Sequence, residues 1–216
     1  MVRDTFEENP HREIEEIDGR WVPKGRGDAW KKYAKTARDM EFAVHRCKNK
    51  RLAIQAGGNI GAWPTWLAKR FHEVMTFEPE DMNYRCLVRN MERYPNVEPY
   101  NAALGHEEGR CEIKLAKSLG GHHMTMRPGS TVMMTIDSFK LDTLDYIMLD
   151  IEGWEYEALQ GGLETIARCR PVIQVEDRGH GEKKGNGKTF GDILRLLPSY
   201  QPTQRVGRDV ILEFHK

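Results

Sequence analysis

Leu52-Ala53-Ile54-Gln55-Ala56-Gly57-Gly58-Asn59-Ile60-Gly61, running on into Ala62-Trp63-Pro64-Thr65-Trp66-Leu67, decides how this chain reads. A short, largely apolar run stops at two adjacent glycines, which suits a buried strand ending in a sharp turn. Ala62 to Phe71 then reads as a helix with Pro64 in its first turn, where a missing N–H costs nothing because first-turn N–H groups lack intrahelical acceptors.

The alternation continues downstream. Val74 to Phe77 is a second strand, and Asp81 to Arg93 a helix with Met82, Cys86, Leu87 and Met91 as core candidates. Val97 to Ala103 is a third strand, Tyr146 to Asp150 a fourth and Val172 to Glu176 a fifth, with a helix from Trp154 to Arg168 between the last two. After a helix over Phe190 to Leu197, Gln204 to Val206 and Asp209 to Phe214 form a closing hairpin around Gly207-Arg208. Residues 110–115 and 131–136 read as an inserted β-hairpin, joined by a loop rich in Gly, His and Met. Strands alternating with helices predict an α/β fold, a parallel sheet with helices on both faces.

Upstream, residues 28–47 place Trp30, Tyr33, Ala37, Met40, Val44 and Cys47 on one face of a predicted helix, with Asp28 as N-cap. Its other face carries Lys31, Lys32, Lys35, Arg38 and Arg46, which reads as a solvated face or as a basic ridge over a ligand mouth. Residues 1–27 show little periodicity and are expected to be an arm, docked by Trp21-Val22-Pro23. The expected organisation is therefore this arm and one domain over 28–216, comprising the helix at 28–47, a cofactor-binding core at 51–178 and the C-terminal helix and hairpin at 179–216.

Composition narrows the function classes. With 33 Lys plus Arg against 33 Asp plus Glu the formal net charge is zero, which excludes a globally basic nucleic-acid coat. No run approaches the roughly 18 apolar residues of a membrane span, and Met1 to Pro10 lacks the apolar stretch of a signal peptide. Cys47, Cys86, Cys111 and Cys169 are scattered without a C-x-x-C, arguing against a disulfide framework or zinc site and for a cytoplasmic location.

In parallel sheets ligands bind outside the carboxyl ends of the strands, so chemistry is sought where strands stop. Gly57, Gly58 and Gly61 allow close backbone approach. A dinucleotide fingerprint would need glycines where Asn59 and Ala62 stand, so a pyrophosphate fits poorly. Glu78, twenty-one positions after Gly57, is placed to accept both hydroxyls of a ribose. A glycine turn and a ribose acid without a pyrophosphate site suit S-adenosylmethionine, which has an adenosine and a sulfonium and no phosphate.

Four blocks together resemble the FkbM-type methyltransferases, which are class I S-adenosylmethionine enzymes acting mostly on hydroxyl oxygens. They are Leu52 to Leu67, Thr76-Phe77-Glu78-Pro79, Asn101-Ala102-Ala103-Leu104-Gly105 and Met148-Leu149-Asp150-Ile151-Glu152-Gly153-Trp154-Glu155. The resemblance covers roughly residues 50–178. It implies a Rossmann-like, mostly parallel seven-stranded sheet with an antiparallel C-terminal strand. Gly57, Asn59 and Gly61 would cradle the methionine part, with Gly58 beside them. Glu78, followed by Pro79, would hold the ribose, and Asn101 and Ala102 would lie by the adenine. Gln55 stands where the family usually has an acid; as a cofactor contact it offers hydrogen bonds without charge.

Asp150 and Glu152 are the candidate catalytic pair, Asp150 doubling as a cofactor contact, since a hydroxyl nucleophile needs a base. An extended Asp150-Ile151-Glu152 would point both carboxylates to one side; a cap for the next helix is the other role open to Glu152. Glu176-Asp177 with Asp150 offers oxygens for magnesium, though binding of substrate hydroxyls is preferred and no metal is expected. His122, His123, Trp154, Glu176, Lys183 and Lys184 are the candidate substrate contacts, the lysines as a clamp for an anionic acceptor.

The leading expectation is methyl transfer to a hydroxyl of a small polar or carbohydrate-like acceptor. RNA or DNA methylation, and a non-catalytic cofactor-binding subunit, remain open; a nicotinamide dehydrogenase is disfavoured by the glycine spacing.

Overall fold

The structure, a computed structural model, describes residues 13–114, 122–125, 127–177 and 187–215. Within the expected arm, β1 (Ile14–Ile17) and β2 (Arg20–Pro23) pair as an antiparallel hairpin. Asp18 and Gly19 form its turn at φ of 51° and 70°, the twist that two-residue hairpin turns require and that Asp-Gly readily adopts. The hairpin is fixed by Asn90, whose Oδ1 accepts from Trp21 N and whose Nδ2 donates to the carbonyls of Trp21 and Ile60, each at 2.8 Å.

The helix expected over 28–47 is a helical path in three pieces: α1 (Ala29–Thr36), a 3₁₀ turn (Ala37–Met40) and α2 (Glu41–Val44). Asp28 occupies the N-cap position without a side-chain capping bond. Ala37, Met40, Val44 and Cys47 enter the core as their spacing predicts. On the basic face Lys31 pairs with Asp18 at 3.8 Å and Arg46 with Glu213 at 3.0 Å.

Next come β3 (Leu52–Ala56), α3 (Ala62–Ala68), β4 (Glu73–Phe77) and α4 (Asp81–Met91), the last capped by the Glu80 carboxylate, which accepts from Asn83 N at 2.8 Å. The third strand stops early. β5 (Val97–Tyr100) is an edge strand, a position that tolerates Pro99. The chain breaks at Asn101 and continues as β6 (Ala102–Leu104) in another sheet. There β6 joins β7 (Gly109–Lys114), β8 (His123–Thr125) and β9 (Thr131–Met134) in the order β6-β9-β7-β8. The expected inserted hairpin, β7 with β9, is therefore half of a four-stranded sheet.

β10 (Tyr146–Leu149) follows. The single helix expected over 154–168 is two, α5 (Glu155–Gln160) and α6 (Leu163–Cys169), broken at Gly161-Gly162. β11 (Val172–Glu176), α7 (Phe190–Leu196), β12 (Tyr200–Val206) and β13 (Asp209–Phe214) complete the described chain. The main sheet has seven strands in the order β12-β13-β11-β10-β3-β4-β5, with β13 antiparallel to both of its neighbours. Its carboxyl-end edge gathers the ends of β3, β4, β10 and β11, and because β13 runs backwards the β12–β13 turn reaches the same edge.

Polar side chains buried in the middle of the sheet meet one another, as buried hydrogen-bonding groups require. Thr76 Oγ1 donates to Gln55 Oε1 at 2.6 Å, and Tyr146 Oη donates to Gln174 Oε1 at 2.7 Å, whose Nε2 donates to Asp209. No helix among the described residues is long and apolar enough to cross a membrane.

Close approach holds position 161 to glycine: a Cβ there would lie 2.0 Å from the Gly105 carbonyl oxygen, whereas one at Gly109 would meet nothing within 4 Å. Urea unfolding should therefore show Gly161→Ala destabilised by about 1–3 kcal/mol, the usual cost of overpacking, and Gly109→Ala changed by less than about 0.5 kcal/mol. Equal stability of the two variants would refute the close approach.

Candidate functional site

At the end of β3 the chain turns through Gly57 (φ 86°), Gly58, Asn59 (φ 49°), Ile60 and Gly61 (φ 96°). Gly57 abuts the end of β10 so closely that a Cβ would sit 2.1 Å from the Asp150 carbonyl oxygen. A Cβ on Gly58 would meet Thr76 Oγ1 at 2.7 Å and Leu87 at 2.9 Å. The glycines bring the backbone against its neighbours and leave the turn's outer side facing a cavity of about 570 Å³.

Glu78 closes the turn from the end of β4. Its Oε2 accepts from Asn59 N at 2.7 Å and its Oε1 from Glu80 N at 2.9 Å. Burial pushes its carboxyl up to about 8, against the pull of the Asn59 amide and of a hydrogen bond from the Asn83 side chain. A carboxylate offers about four acceptor sites, so these three donors leave acceptor capacity for a ribose hydroxyl, and Glu78 lines the cavity.

Across the cavity lies the loop after β10. The expected extended Asp150-Ile151-Glu152 is not what forms. Glu152 adopts φ 58° and Gly153 φ 106°, both left-handed. The cause is Glu155, whose Oε1 accepts from Ile151 N at 3.0 Å and Gly153 N at 3.3 Å, curling the loop. Burial raises the Glu155 carboxyl to about 7, with these amides opposing. The capping role offered to Glu152 is not seen: the N-cap position of α5 is Trp154, without a side-chain cap bond, and Glu152 lines the cavity. Asp150, Glu152 and Glu176 each place a carboxylate oxygen within 4.8 Å of the others. That set suits hydrogen bonds to an acceptor hydroxyl and is also an oxygen set of the type a divalent cation takes. Asp177 is not part of it; its carboxylate pairs with Arg205.

Of the residues singled out in the sequence, Gly57, Gly58, Asn59, Glu78, Pro79, Ala102, His122, Asp150, Glu152 and Glu176 line this one cavity. Four others do not. Gln55 is buried within β3 and spends its carbonyl on Thr76. Gly61 packs on α4, where a Cβ would meet Met91 at 2.9 Å. Asn101 donates through Nδ2 to the Glu78 carbonyl at 3.0 Å, supporting that strand end from behind. Trp154 is fully buried and donates from Nε1 to Met124 O at 3.0 Å, pinning β8 instead of meeting a substrate. The His123 side chain, Lys183 and Lys184 lie outside the described residues.

Several cavity residues were not singled out. Tyr33, Thr36 and Asp39 come from α1 and the following 3₁₀ turn, Trp63 from α3, and Arg208 and Asp209 from the β12–β13 turn. The antiparallel return of the last strand carried the signal for the last two, since it brings the Gly207-Arg208 turn to the carboxyl-end edge. Lys32 also lines the cavity, so one residue of the basic face does overlook a ligand mouth.

Residues 55–205 match the model of the methyltransferase FkbM domain. Among solved structures, the chain resembles the FkbM methyltransferase of Methylobacillus flagellatus KT, with a TM-score of 0.55 at 17% identity, over 87% of this chain and 58% of that one. The chain thus spans little more than half the length of that relative. A S-adenosylmethionine-dependent methyltransferase from Aquifex aeolicus matches with a TM-score of 0.48 at 13% identity, over 87% and 97% of the two chains. An rRNA methylase from Streptococcus thermophilus matches with a TM-score of 0.47 at 12% identity, over 82% and 93%. No curated protein matches the sequence.

The raised carboxyls of Glu78 and Glu155 set a pH dependence. Both hold protons in the fold that the unfolded chain releases above about pH 4.5, so the stability they contribute is lost progressively as pH rises towards 7 to 8. Glu155→Gln keeps a carbonyl for the two amides and removes one titration. Between pH 5.5 and 8.5, urea unfolding should show the wild type losing on the order of 2 kcal/mol more than this variant. Parallel pH profiles would mean that Glu155 is already ionised in the folded protein.

Proposed function

The chain belongs to the FkbM methyltransferase family, whose cofactor is S-adenosylmethionine, and we propose that it methylates a hydroxyl of a small polar or carbohydrate-like acceptor. The observation that carries this reading is the convergence of the glycine turn, Glu78 and the Asp150–Glu152–Glu176 carboxylates on one cavity. Its volume of about 570 Å³ is in the range of small-molecule sites. The donor set fits the cofactor: Glu78 keeps acceptor capacity towards the cavity for a ribose hydroxyl, the turn lacks a pyrophosphate cradle, and Asp150, Glu152 and Glu176 offer carboxylates to a cationic ligand in the same cavity.

When bound, S-adenosylmethionine supplies a methyl carbon that passes from sulfur to the acceptor oxygen, leaving S-adenosylhomocysteine and one proton for the protein to take. Asp150 or Glu152 takes that proton, as general base to the hydroxyl. Glu176, nearly buried beside them, accepts a hydrogen bond from the same or a neighbouring hydroxyl and so orients the acceptor for in-line attack. A small acceptor is favoured over nucleic acid because the cavity is of small-molecule size and the chain carries no net positive charge. On the basic face read over 28–47, Lys31 and Arg46 are in ion pairs, and Lys32 lines the cavity.

Calorimetric titration tests the cofactor. S-adenosylhomocysteine should bind with micromolar affinity and NADH should not. Glu78→Ala should weaken S-adenosylhomocysteine by about tenfold, the cost of a lost ribose hydrogen bond of about 0.5–1.5 kcal/mol to a carboxyl that burial keeps largely protonated. Absence of S-adenosylhomocysteine binding by the wild type would sink the proposal. Once a panel of hydroxylated acceptors labelled from methyl-tritiated cofactor has given a substrate, Asp150→Asn should lower turnover by about 10²-fold or more while leaving cofactor affinity within a few-fold. Equal losses in both would make Asp150 a binding residue only.

A further inference from the structure

Tyr33 lies on α1, outside the stretch that matches the family model, and yet it faces the cavity. Its helical spacing predicts a core position, and its neighbours on that face, Ala37, Met40 and Val44, are in the core. Tyr33 instead leaves its ring half-buried and carries its hydroxyl towards the glycine turn, within electrostatic reach of Asp150, Glu78 and Glu152.

The position is held from the backbone. Trp63 Nε1 donates to the Tyr33 carbonyl at 3.0 Å and to Thr36 Oγ1 at 3.1 Å, locking α1 onto α3 at this residue. The hydroxyl itself is hydrogen-bonded to the Asn59 side chain. Asn59 Oδ1 already accepts from Ile60 N at 2.9 Å, and Asn59 N donates to Glu78. Against burial, the larger effect, the bond pulls the Tyr33 pKa down, as a donor to the phenol oxygen does, so the Asn59 amide nitrogen is the group that meets Tyr33, and the phenolic proton is left to be donated into the cavity. Burial raises the Tyr33 pKa, so the proton stays in place at neutral pH.

A donor at this point has a specific use. The amino-acid end of the cofactor carries an ammonium, which the carboxylates of the cavity suit, and a carboxylate, which they repel. We infer that the Tyr33 hydroxyl donates a hydrogen bond to the carboxylate of the cofactor's methionine portion, making α1 a working wall of the cofactor site. This rests on the cofactor reading above. Because Asn59 links Tyr33 to Glu78, the contact and the ribose acid are two ends of one hydrogen-bonded chain, preorganised before the ligand arrives.

Two probes test it by calorimetry: S-adenosylhomocysteine, and 5′-methylthioadenosine, which keeps the adenosine and sulfur but lacks the amino-acid group. Tyr33→Phe should weaken S-adenosylhomocysteine about tenfold, as expected for a lost bond to a charged group, and leave 5′-methylthioadenosine within about twofold. Unchanged S-adenosylhomocysteine affinity would overturn the assignment. Equal weakening of both probes would also overturn it, since a merely structural role for Tyr33 moves both alike. Failure of the wild type to bind S-adenosylhomocysteine would overturn the cofactor reading itself, and this assignment with it.

Discussion

A carboxylate buried at the end of a parallel strand is costly unless donors meet it, and Glu78 is met by two backbone amides. One amide belongs to the glycine turn and the other to the residue that caps α4. Asn101, reaching from the chain leaving the sheet edge, takes the carbonyl of the same residue. The glycine turn, the start of α4 and Asn101 are thereby referred to one residue. The bonds hold the carboxylate with its remaining acceptor sites towards the cavity, and it need not reorganise when hydroxyls arrive.

The second anchor is Glu155, which works on the opposite wall by the same chemistry. It gathers two amides of the loop after β10 and so sustains two consecutive left-handed residues, one of them the non-glycine Glu152. The strain places the Glu152 carboxylate beside Asp150 and Glu176. Gly57 draws the two walls together, since any side chain there would strike the Asp150 carbonyl. Acids that do no chemistry thus position the turn and the loop, and acids that can do chemistry face the cavity between them.

Much of this was legible in the sequence. Strand, glycine turn and helix recurring in order gave the parallel sheet, and the strand-end rule located Gly57, Glu78, Asp150 and Glu176 at one edge. What was not legible depended on contacts between distant segments. Asn101 breaks a strand that looks continuous because β6 finds a partner in β9. The Gly161-Gly162 break lies where the Gly105 carbonyl leaves no room for a side chain. Gln55 reads as a cofactor contact, but Thr76 on the neighbouring strand takes its carbonyl. Trp154 reads as a substrate contact but is buried, its indole donating to the Met124 carbonyl of β8. By contrast, Asp18-Gly19 was a readable hairpin signal hidden in a segment that otherwise lacks periodicity. Tyr33 misled in the other direction, since a helical face does not distinguish a side chain facing the core from one facing a cavity beside it.

The central claim is that the cavity between Glu78 and Asp150 is a cofactor site, and a crystal structure with S-adenosylhomocysteine tests it most directly. The ribose is then expected to hydrogen-bond the Glu78 carboxyl, with its bonds from Asn59 N and Glu80 N intact. The homocysteine sulfur should lie between the glycine turn and Asp150. A ligand seated elsewhere, or a ribose with no contact to Glu78, would contradict it.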